Sequence, residues 1–289
     1  MIQIGAMSND NFRLRPDTTS PLTPPAVSAA FRWDRETWGH ALRCVPFEAS
    51  AQHLFTSKQL QLPANATDAQ TKQAWSAIAA SMGVTTDAVL RVKQVHGNVV
   101  RVVTRDSLTG TTTAERPDGD AIVSDAPGLV LAVVVADCVP ILLADRTGGA
   151  VAAIHAGWRG TCAGIAGAAV ETMSEVFGTR PENLVAAIGP SIGPDDYVVG
   201  ESLVGAFSAA GHDDLSLARW FSRAPSGDDL RLDLWRANQD QLERAGVRRA
   251  SIFNAGVSTF AHPDWLESFR RDADHAGRMV AMVGVPAER

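Results

Sequence analysis

The stretch from Asp118 to Gly160 constrains the fold and the chemistry of this chain more than any other part of its sequence. It reads DGDAIVSDAPGLVLAVVVADCVPILLADRTGGAVAAIHAGWRG. The apolar run LVLAVVVADC predicts a buried strand that ends at Cys138, and the shorter run AVAAIH predicts a second strand that ends at His155. Because α/β proteins usually place their chemistry at strand ends, we expect this thiol and this imidazole at the ends of neighbouring strands.

A third candidate ligand, His96, lies upstream in the segment KQVHG, at the start of another strand-like run. His96, Cys138 and His155 form a set that suits zinc, which prefers thiolate and imidazole ligands and keeps one tetrahedral position open in catalytic sites. The wide spacing does not by itself establish a site, because an isolated histidine or a strand-end cysteine is commonly structural. The other two cysteines, Cys44 and Cys162, are interpreted as small apolar residues.

The composition is that of an acidic globular protein that can bury a full core. Of the 289 residues, 45% are hydrophobic and 20% are charged, and the formal net charge is -6. This charge argues against nucleic acid or an anionic membrane as the main partner. No apolar stretch approaches the roughly 18 residues of a membrane span, and no secretory signal pattern is recognised. Three widely spaced cysteines form no disulfide framework, so we expect a cytoplasmic location.

The order of the predicted elements favours an α+β fold, with layered mixed sheets in a single domain. Strands and helices mix without strict βαβ alternation, which argues against a doubly wound fold. Pro, Thr, Ser and Asn are frequent up to about residue 28, and folded sequence is expected to begin near Phe31 or Val45. With the later of these starts, residues 1–44 are a partly disordered extension and residues 45–289 are the domain itself. Helices are predicted over 69–82, 164–177, 202–210 and 233–245, strands over 53–56, 90–103, 129–138, 150–155, 184–188, 249–254 and 278–285, and a polar surface segment over 211–227.

Six short segments resemble those of a known bacterial family and occur in the same order. They are Gln94-Val95-His96-Gly97, Asp118-Gly119-Asp120-Ala121, Ala136-Asp137-Cys138-Val139-Pro140, His155-Ala156-Gly157-Trp158-Arg159-Gly160, Gly189-Pro190-Ser191-Ile192-Gly193-Pro194 with Tyr197 and Gly200, and Phe269-Arg270-Arg271-Asp272 with Gly277-Arg278. With them the chain resembles the YfiH-like family, also known as the multicopper polyphenol oxidase-like or purine nucleoside phosphorylase family. The elements ADC and HAGWRG are together highly specific.

The resemblance implies a zinc site made by His96, Cys138 and His155, with copper as the less favoured metal. It implies phosphorolysis of adenosine, of inosine or guanosine, and of methylthioadenosine, with phosphate as the second substrate, and deamination of adenosine. It also implies an αββα-type layered sandwich, so that residues 45–289 would be a YfiH-like catalytic domain. The sequence is compatible with a monomer or a homodimer.

Three further side chains are candidates for catalysis: Asp137, Arg159 and Lys58. Arg159 lies at the entry to a predicted helix, where backbone N–H groups and a guanidinium can bind phosphate, although an arginine there can also simply cap the turn. Asp137 is the carboxylate nearest to a ligand in sequence, but on a regular strand it points away from Cys138. It is therefore a candidate for a proton shuttle, for orienting a ligand, or for holding the strand end.

The roles of three more residues, Trp158, Asp118 and Asp120, are not decided by the sequence. Trp158 either stacks on a purine or covers the start of the helix. Asp118 and Asp120 are by default turn residues. The usual zinc deaminase signature, His-x-Glu followed by Pro-Cys-x-x-Cys, is absent from the sequence, so a deaminase would need a carboxylate from elsewhere.

The chain departs from the family's usual pattern in four places. Lys58 stands where the family usually has an arginine, and lysine supplies charge but no bidentate contact. The family's paired cysteines, its late cysteine segment and its tyrosine before Arg-Arg are replaced by Asp195-Asp196, by Gly256-Val257-Ser258-Thr259 and by Phe269. Because the three candidate ligands are retained, these changes concern substrate placement more than metal binding.

Three alternatives come from other classes of protein. A copper centre can also use two histidines and a cysteine, but a multicopper oxidase needs paired His-x-His motifs, and none of the seven histidines forms one. A metal-free cysteine hydrolase or amidase would use Cys138 as the nucleophile and His155 as the base. An inactive relative would keep the metal ligands without turning over a substrate.

Overall fold

The computed structural model describes residues 23–63, 65–104, 116–147, 149–223 and 227–285. Within them the strands are β1 (Phe31–Glu36), β2 (Gly39–Cys44), β3 (His53–Thr56), β4 (Val89–Arg91), β5 (Val100–Val103), β6 (Ala121–Ser124), β7 (Val130–Val135), β8 (Val139–Asp145), β9 (Val151–Ala156), β10 (Leu184–Ile188), β11 (Phe221–Arg223), β12 (Leu230–Leu232), β13 (Ile252–Asn254) and β14 (Met279–Gly284). The α-helices are α1 (Asp68–Ser81), α2 (Trp158–Cys162), α3 (Ile165–Phe177), α4 (Ser202–Ala209), α5 (Asp214–Trp220), α6 (Leu234–Arg244) and α7 (Phe269–Asp272).

Most of these strands form two six-stranded sheets. The first sheet has the order β1-β2-β3-β14-β7-β4, and the second has the order β13-β10-β8-β9-β6-β5. Both are mixed: β4 is parallel to β7 and β5 to β6, whereas β8 and β9 are antiparallel. Strands β11 and β12 form a separate two-stranded sheet.

The two sheets pack face to face between two helical layers. Alternate residues of β7 take opposite sides, because side chains of a strand point to opposite faces in turn: Leu131 and Val133 enter the core between the sheets, and Val130 and Ala132 pack with α1. On the second sheet, alternate residues of β9 pack with α3 and α6. The predicted αββα sandwich with mixed sheets is therefore confirmed.

Local sequence signals explain where α1 begins and where α3 ends. Helix α1 starts with a capping box in which the Thr67 hydroxyl accepts the Gln70 amide and the Gln70 side chain accepts the Thr67 amide. Helix α3 ends at Gly178, whose φ of 66° is a left-handed conformation that glycine adopts without strain. Both helices lie where their apolar spacing predicts them.

The folded structure begins upstream of the predicted boundary at residue 45. Strands β1 and β2 pair with each other, and β2 pairs with β3, so residues 31–44 belong to the first sheet. The boundary was set too late, because several side chains of the edge strand β1 and of its neighbour β2 are half-exposed and polar, so the two strands lack a buried apolar pattern. Residues 1–22 lie outside the described residues.

Two further predictions are wrong in detail. The predicted strand over 90–103 is two strands, β4 and β5, which belong to different sheets. The segment 211–227 was predicted as irregular surface, yet it contains α5, whose Trp220 is fully buried. In both cases tertiary contacts decide the structure that the local pattern leaves ambiguous.

The chain passes from the first sheet to the second at the same end of two neighbouring strands. Because β4 and β7 are parallel, their C-terminal ends lie at one edge of the first sheet. From there one connection leads to β5 and the other to β8, both in the second sheet. His96 lies in the first connection and Cys138 in the second, so the sheet crossing brings these two residues together.

The buried histidine of β3 makes the fold sensitive to acid. Burial holds the pKa of His53 down to about 4, and its Nε2 accepts a hydrogen bond of 2.8 Å from the Cys44 amide, which requires a neutral ring. The unfolded chain takes up this proton at a higher pH than the folded chain does, so protonation favours unfolding. We expect stability to fall by about 2 kcal/mol from this group between about pH 7.5 and about pH 5.

The measurement is denaturant unfolding at both pH values for the natural protein and for His53→Gln, which keeps an acceptor for the amide. The natural protein should lose more stability than the variant by that amount. Equal losses in the two proteins would show that His53 is not responsible.

Candidate metal site

Cys138 lies in the tight connection between β7 and β8, at the start of β8. Cys138 therefore precedes one strand and follows another. The sequence did not indicate the second strand, because its residues VPILLAD continue the apolar run of the first. The preceding residue, Asp137, has a φ of 85°, and this left-handed conformation turns the chain from one sheet to the other. Cys138 therefore lies beside β9, since β8 and β9 pair with Val139 opposite Ala156 and Pro140 opposite His155.

Gly157 follows β9 and lies directly against Cys138. A Cβ atom at Gly157 would stand 2.9 Å from Cys138 Sγ and 3.3 Å from His96 Cδ2. Real Cβ atoms essentially never approach that closely, so only glycine leaves room for both ligands at this point.

His155 is fixed from the neighbouring strand. It is 3% exposed, and its Nδ1 is hydrogen-bonded to Oδ1 of the fully buried Asp120 at 2.8 Å. The pair is a direct cross-strand contact, because the His155 amide also donates to the Asp120 carbonyl at 2.7 Å, at the end of the β6–β9 ladder. With Nδ1 engaged in this way, Nε2 is the nitrogen that faces Cys138 and His96.

His96 is exposed and lies in a left-handed conformation, with a φ of 60°. The loop before it is attached to β7 by Gln94, whose side-chain amide pairs with both backbone groups of Val134 at 2.8 Å. The loop itself is held by Asp120, which accepts the amide of His96 at 2.9 Å. These contacts hold the His96 ring edge-on to the ring of His155, with 4.9 Å between their centroids.

The three predicted ligands form one compact group. The ligand atoms of His96, Cys138 and His155 all lie within 4.8 Å of one another. Among the described residues, this is the one cluster of three or more His, Cys, Asp or Glu side chains that could hold a metal ion. In a tetrahedral zinc site the ligand atoms lie roughly 3.5 Å apart, which small side-chain rotations would reach here. The exposed His96 and the half-buried Cys138 leave the group open to solvent on one side.

The charges in this group depend on one another. Burial alone would raise the pKa of Cys138, but hydrogen bonds from His155 and His96 outweigh it and lower that pKa. Burial would lower the pKa of His155, but its hydrogen bonds to Asp120 and Cys138 raise it. The site therefore favours a thiolate, which is the form that binds metal or attacks a substrate.

Asp137 is bound to the late segment of the chain. Its Oδ1 accepts from the Thr259 hydroxyl at 2.5 Å, and its Oδ2 accepts from the Arg270 amide at 2.6 Å. With both oxygens occupied and only 8% of the residue exposed, Asp137 holds the 259–270 segment against the turn that carries Cys138.

Arg159 is exposed within the short helix α2, and its guanidinium stacks on Trp158 at 4.3 Å. It does not lie at the start of the long helix as expected, because Gly164, with a φ of 78°, separates α2 from α3. Arg159 therefore lies in the first turn of α2 rather than at the N-terminus of α3. What remains at this point is an exposed guanidinium beside a half-buried aromatic ring.

A second arginine and the single tyrosine lie close by. The Arg270 guanidinium stands 5.0 Å from the ring centre of Tyr197 and donates to the Val198 carbonyl at 2.8 Å. Burial raises the pKa of Tyr197 to about 12, and the charges of Cys138, Arg270, Asp137 and Arg159 also act on it. Both arginines adjoin residues that carry the ligands, because the Arg270 amide donates to Asp137, next to Cys138, and Arg159 follows β9, which carries His155.

Lys58 is attached to the late segment of the chain. Its Nζ donates to the Pro263 carbonyl, and its amide donates to the Trp265 carbonyl at 2.9 Å. The structure therefore brings Lys58 to the 263–265 loop, whereas it brings His96, Cys138 and His155 together.

The sequence did not identify Asp120 and Gly157 as parts of the site. Asp120 was interpreted as a turn residue, although a carboxylate directly before a strand is a candidate partner for a histidine at the end of the antiparallel neighbour. Its pairing with His155 requires knowledge of the β6–β9 register, which the sequence does not contain.

The described helices include none that is long and apolar enough to cross a membrane.

Comparison with known proteins identifies the family of this chain. Residues 48–286 match the family model described as multi-copper polyphenol oxidoreductase laccase. A protein of Deinococcus radiodurans named purine nucleoside phosphorylase is 37% identical over 222 residues, which are 72% of this chain and 75% of that protein. A protein of an unknown prokaryotic organism named adenosine deaminase RL5 is 35% identical over 204 residues, covering 70% of this chain and 76% of its own length.

A solved structure has the same fold over almost its whole length. The crystal structure of YlmD from Geobacillus stearothermophilus superimposes with a TM-score of 0.78 at 28% identity, covering 89% of this chain and 99% of that one. The family model covers most of the sequence. The chain belongs to the family described as multi-copper polyphenol oxidoreductase laccase, the YfiH-like family that its sequence resembles.

Proposed function

We propose that this protein is a zinc-dependent purine nucleoside phosphorylase of broad specificity that also deaminates adenosine. Its substrates would be adenosine, inosine or guanosine, and methylthioadenosine, each with phosphate. Relatives named purine nucleoside phosphorylase and adenosine deaminase support an enzyme of this type. The observation that carries the proposal is the convergence of His96, Cys138 and His155 at the open edge between the two sheets.

The donor set fits zinc better than copper. Two imidazoles and one thiolate with an open fourth position match the ligation of catalytic zinc sites. His96, Cys138 and His155 would hold the ion, and when bound it would supply Lewis-acid polarisation of a substrate oxygen or of water. Arranging the three ligands for this requires little movement, since their atoms already lie within 4.8 Å of one another.

Arg159 would bind the phosphate that attacks the ribose. In phosphorolysis a phosphate oxygen forms a bond to the anomeric carbon while the bond from that carbon to the purine nitrogen breaks. The attacking group is a dianion or monoanion, and a guanidinium binds such a group through charge-assisted hydrogen bonds. Arg159 is exposed and stacked on Trp158, so it can reach a ligand without losing a buried contact.

Asp137 would act as a positioning residue, because both of its oxygens already accept hydrogen bonds. It links the turn of Cys138 to Thr259 and to the amide of Arg270. Through this link the late segment is held close to the ligands. This assignment gives Asp137 the third of the roles considered from the sequence, that of holding the strand end, and we propose no step for Lys58.

A metal-free cysteine hydrolase is the second candidate, and one observation favours it. Hydrogen bonds from His155 and His96 lower the pKa of Cys138, which also describes an activated nucleophile beside a base. The exposed His96 argues for the metal, because a catalytic pair needs only one histidine. The two functions differ in metal content, since a cysteine nucleophile needs no bound ion.

The first prediction concerns Cys138. Protein purified without chelator should contain about one zinc per chain, and should release free base from inosine only when phosphate is present. Cys138→Ala should lose both the zinc and the phosphorolysis, because the site loses its thiolate ligand. The measurement combines elemental analysis with chromatography of adenosine and inosine, with and without phosphate.

Cys162→Ala is the matched control, since its thiol donates to the Ala206 carbonyl and lies outside the ligand group. Bound zinc without turnover of any nucleoside would contradict the nucleoside assignment and support an inactive relative. Activity on an amide without metal, still dependent on Cys138, would establish the hydrolase instead.

The second prediction concerns Arg159. Arg159→Ala should raise the KM for phosphate roughly tenfold to a hundredfold, the effect of losing a hydrogen bond to a charged group. Deamination of adenosine should change much less, since it uses no phosphate. Arg180→Ala, at an exposed arginine beyond the other end of α3, should leave both activities unchanged. An unaltered KM for phosphate in Arg159→Ala would exclude Arg159 from the phosphate site.

The third prediction concerns the glycine that faces the ligands. Gly157→Ala places a Cβ 2.9 Å from Cys138 Sγ, so it should displace the thiolate and weaken zinc binding by about tenfold or more. Gly167→Ala is the control, because a Cβ there meets nothing within 4 Å. Zinc affinity is measured by competition with a chromophoric chelator, and equal affinity in both variants would contradict the packing argument.

A further inference from the structure

Asp120 contacts two of the three candidate ligands through a single carboxylate. The residue is fully buried, immediately before β6, between the loop that carries His96 and the strand that ends at His155. Such a position is unusual for a turn aspartate, which normally faces solvent. A buried charge is stable only when it is fully hydrogen-bonded.

Both oxygens of the carboxylate are fully used. Oδ1 is 2.8 Å from His155 Nδ1 and 2.9 Å from the amide nitrogen of His96. Oδ2 accepts the amide of Gly97 at 2.7 Å and that of Val95 at 3.3 Å. Three consecutive amides of one loop and one imidazole of a neighbouring strand therefore converge on one group.

We propose that Asp120 is the positioning residue of the metal site, which fixes the ring of His155 and the backbone of His96 at the same time. The inference rests on the metal site of the proposed function and adds to it the group that assembles the ligands. Nothing in the motif that contains Asp120 indicates this role without the strand register.

The contact to His155 sets which nitrogen can bind a metal. A carboxylate that accepts from Nδ1–H keeps the proton on that nitrogen and directs Nε2 toward the metal position. It also raises the basicity of the imidazole as a ligand. Since Oδ1 is already 2.8 Å from Nδ1, the ring is preorganised before any ion binds.

The contacts to the loop hold an unfavourable backbone conformation. His96 has a φ of 60°, a left-handed geometry that is uncommon for residues other than glycine, although histidine adopts it more often than most side chains. The hydrogen bonds of Asp120 to the amides on both sides of His96 stabilise that conformation. Without them the loop would relax, and the exposed His96 side chain would no longer be directed at Cys138.

The experiment compares Asp120→Asn with Asp118→Asn in the full chain. The Asp120→Asn substitution keeps the side-chain shape but points an N–H₂ group at N–H donors. Asp118 is two residues away, exposed, and paired with Lys93 at 3.2 Å, so it controls for the loss of one negative charge. Zinc affinity is measured by chelator competition, and the ligand geometry by the visible absorption of the cobalt-substituted proteins.

Asp120→Asn should bind zinc about tenfold to a hundredfold more weakly than the natural protein, as expected for loss of a partner of a metal-bound histidine. Its cobalt spectrum should change in band position or intensity, which a purely structural role at a distance would not produce. Asp118→Asn should match the natural protein in both. Affinity and spectrum that are unchanged in Asp120→Asn would overturn the proposal.

A second measurement needs no variant, in case Asp120→Asn does not fold. In the zinc-loaded natural protein, nitrogen-15 NMR of the histidine rings should show His155 with a proton on Nδ1 and the metal on Nε2. The opposite assignment would overturn the proposal. If the natural protein binds neither zinc nor cobalt, the metal site of the proposed function fails, whereas unaltered binding in Asp120→Asn refutes only the role of Asp120.

Discussion

The parallel pairing of β4 with β7 is the constraint on which the site depends. Parallel neighbours end at the same edge of a sheet, so the two connections that leave them start side by side. Both connections cross to the second sheet. The first carries His96, which is itself in a left-handed conformation, and the second carries Cys138, which follows the left-handed Asp137. The third ligand, His155, ends β9, which is antiparallel to the strand that Cys138 begins. Sheet topology therefore brings together three residues that are distant in sequence, and the hydrogen bonds of Asp120 complete their arrangement.

The electrostatics of the site follow from its burial. Asp120 and His155 are almost completely enclosed, and each would be unfavourable as an isolated charge. Their hydrogen bond keeps the pKa of Asp120 below its usual range despite burial, and raises that of His155. The thiolate of Cys138 adds a second negative charge to the group, which a divalent cation would balance. The same arrangement is therefore consistent with both a metal centre and an ion pair, and metal content separates the two.

The sequence predicted the elements better than their partners. Helices α1 and α3 have clear caps and apolar faces, and the ligand types themselves indicate zinc. The division of residues 90–103 into two strands was not predictable, because the amides at the break donate to the carboxylate of Asp120, which comes later in the chain. Strand β8 was not predicted as a separate strand, because its apolar residues continue those of β7. Register and sheet membership are long-range properties that a local pattern cannot contain.

The two proposed activities act on different bonds of a nucleoside, and this restricts how one site can perform both. Phosphorolysis breaks the bond between the ribose and the purine, whereas deamination breaks a bond on the six-membered ring of the base. One metal position cannot polarise the groups at both ends of the substrate in a single pose. If the proposed function is correct, the nucleoside must bind in two orientations relative to His96, Cys138 and His155. Because only phosphorolysis uses phosphate, phosphate bound at Arg159 would select the orientation that leads to phosphorolysis.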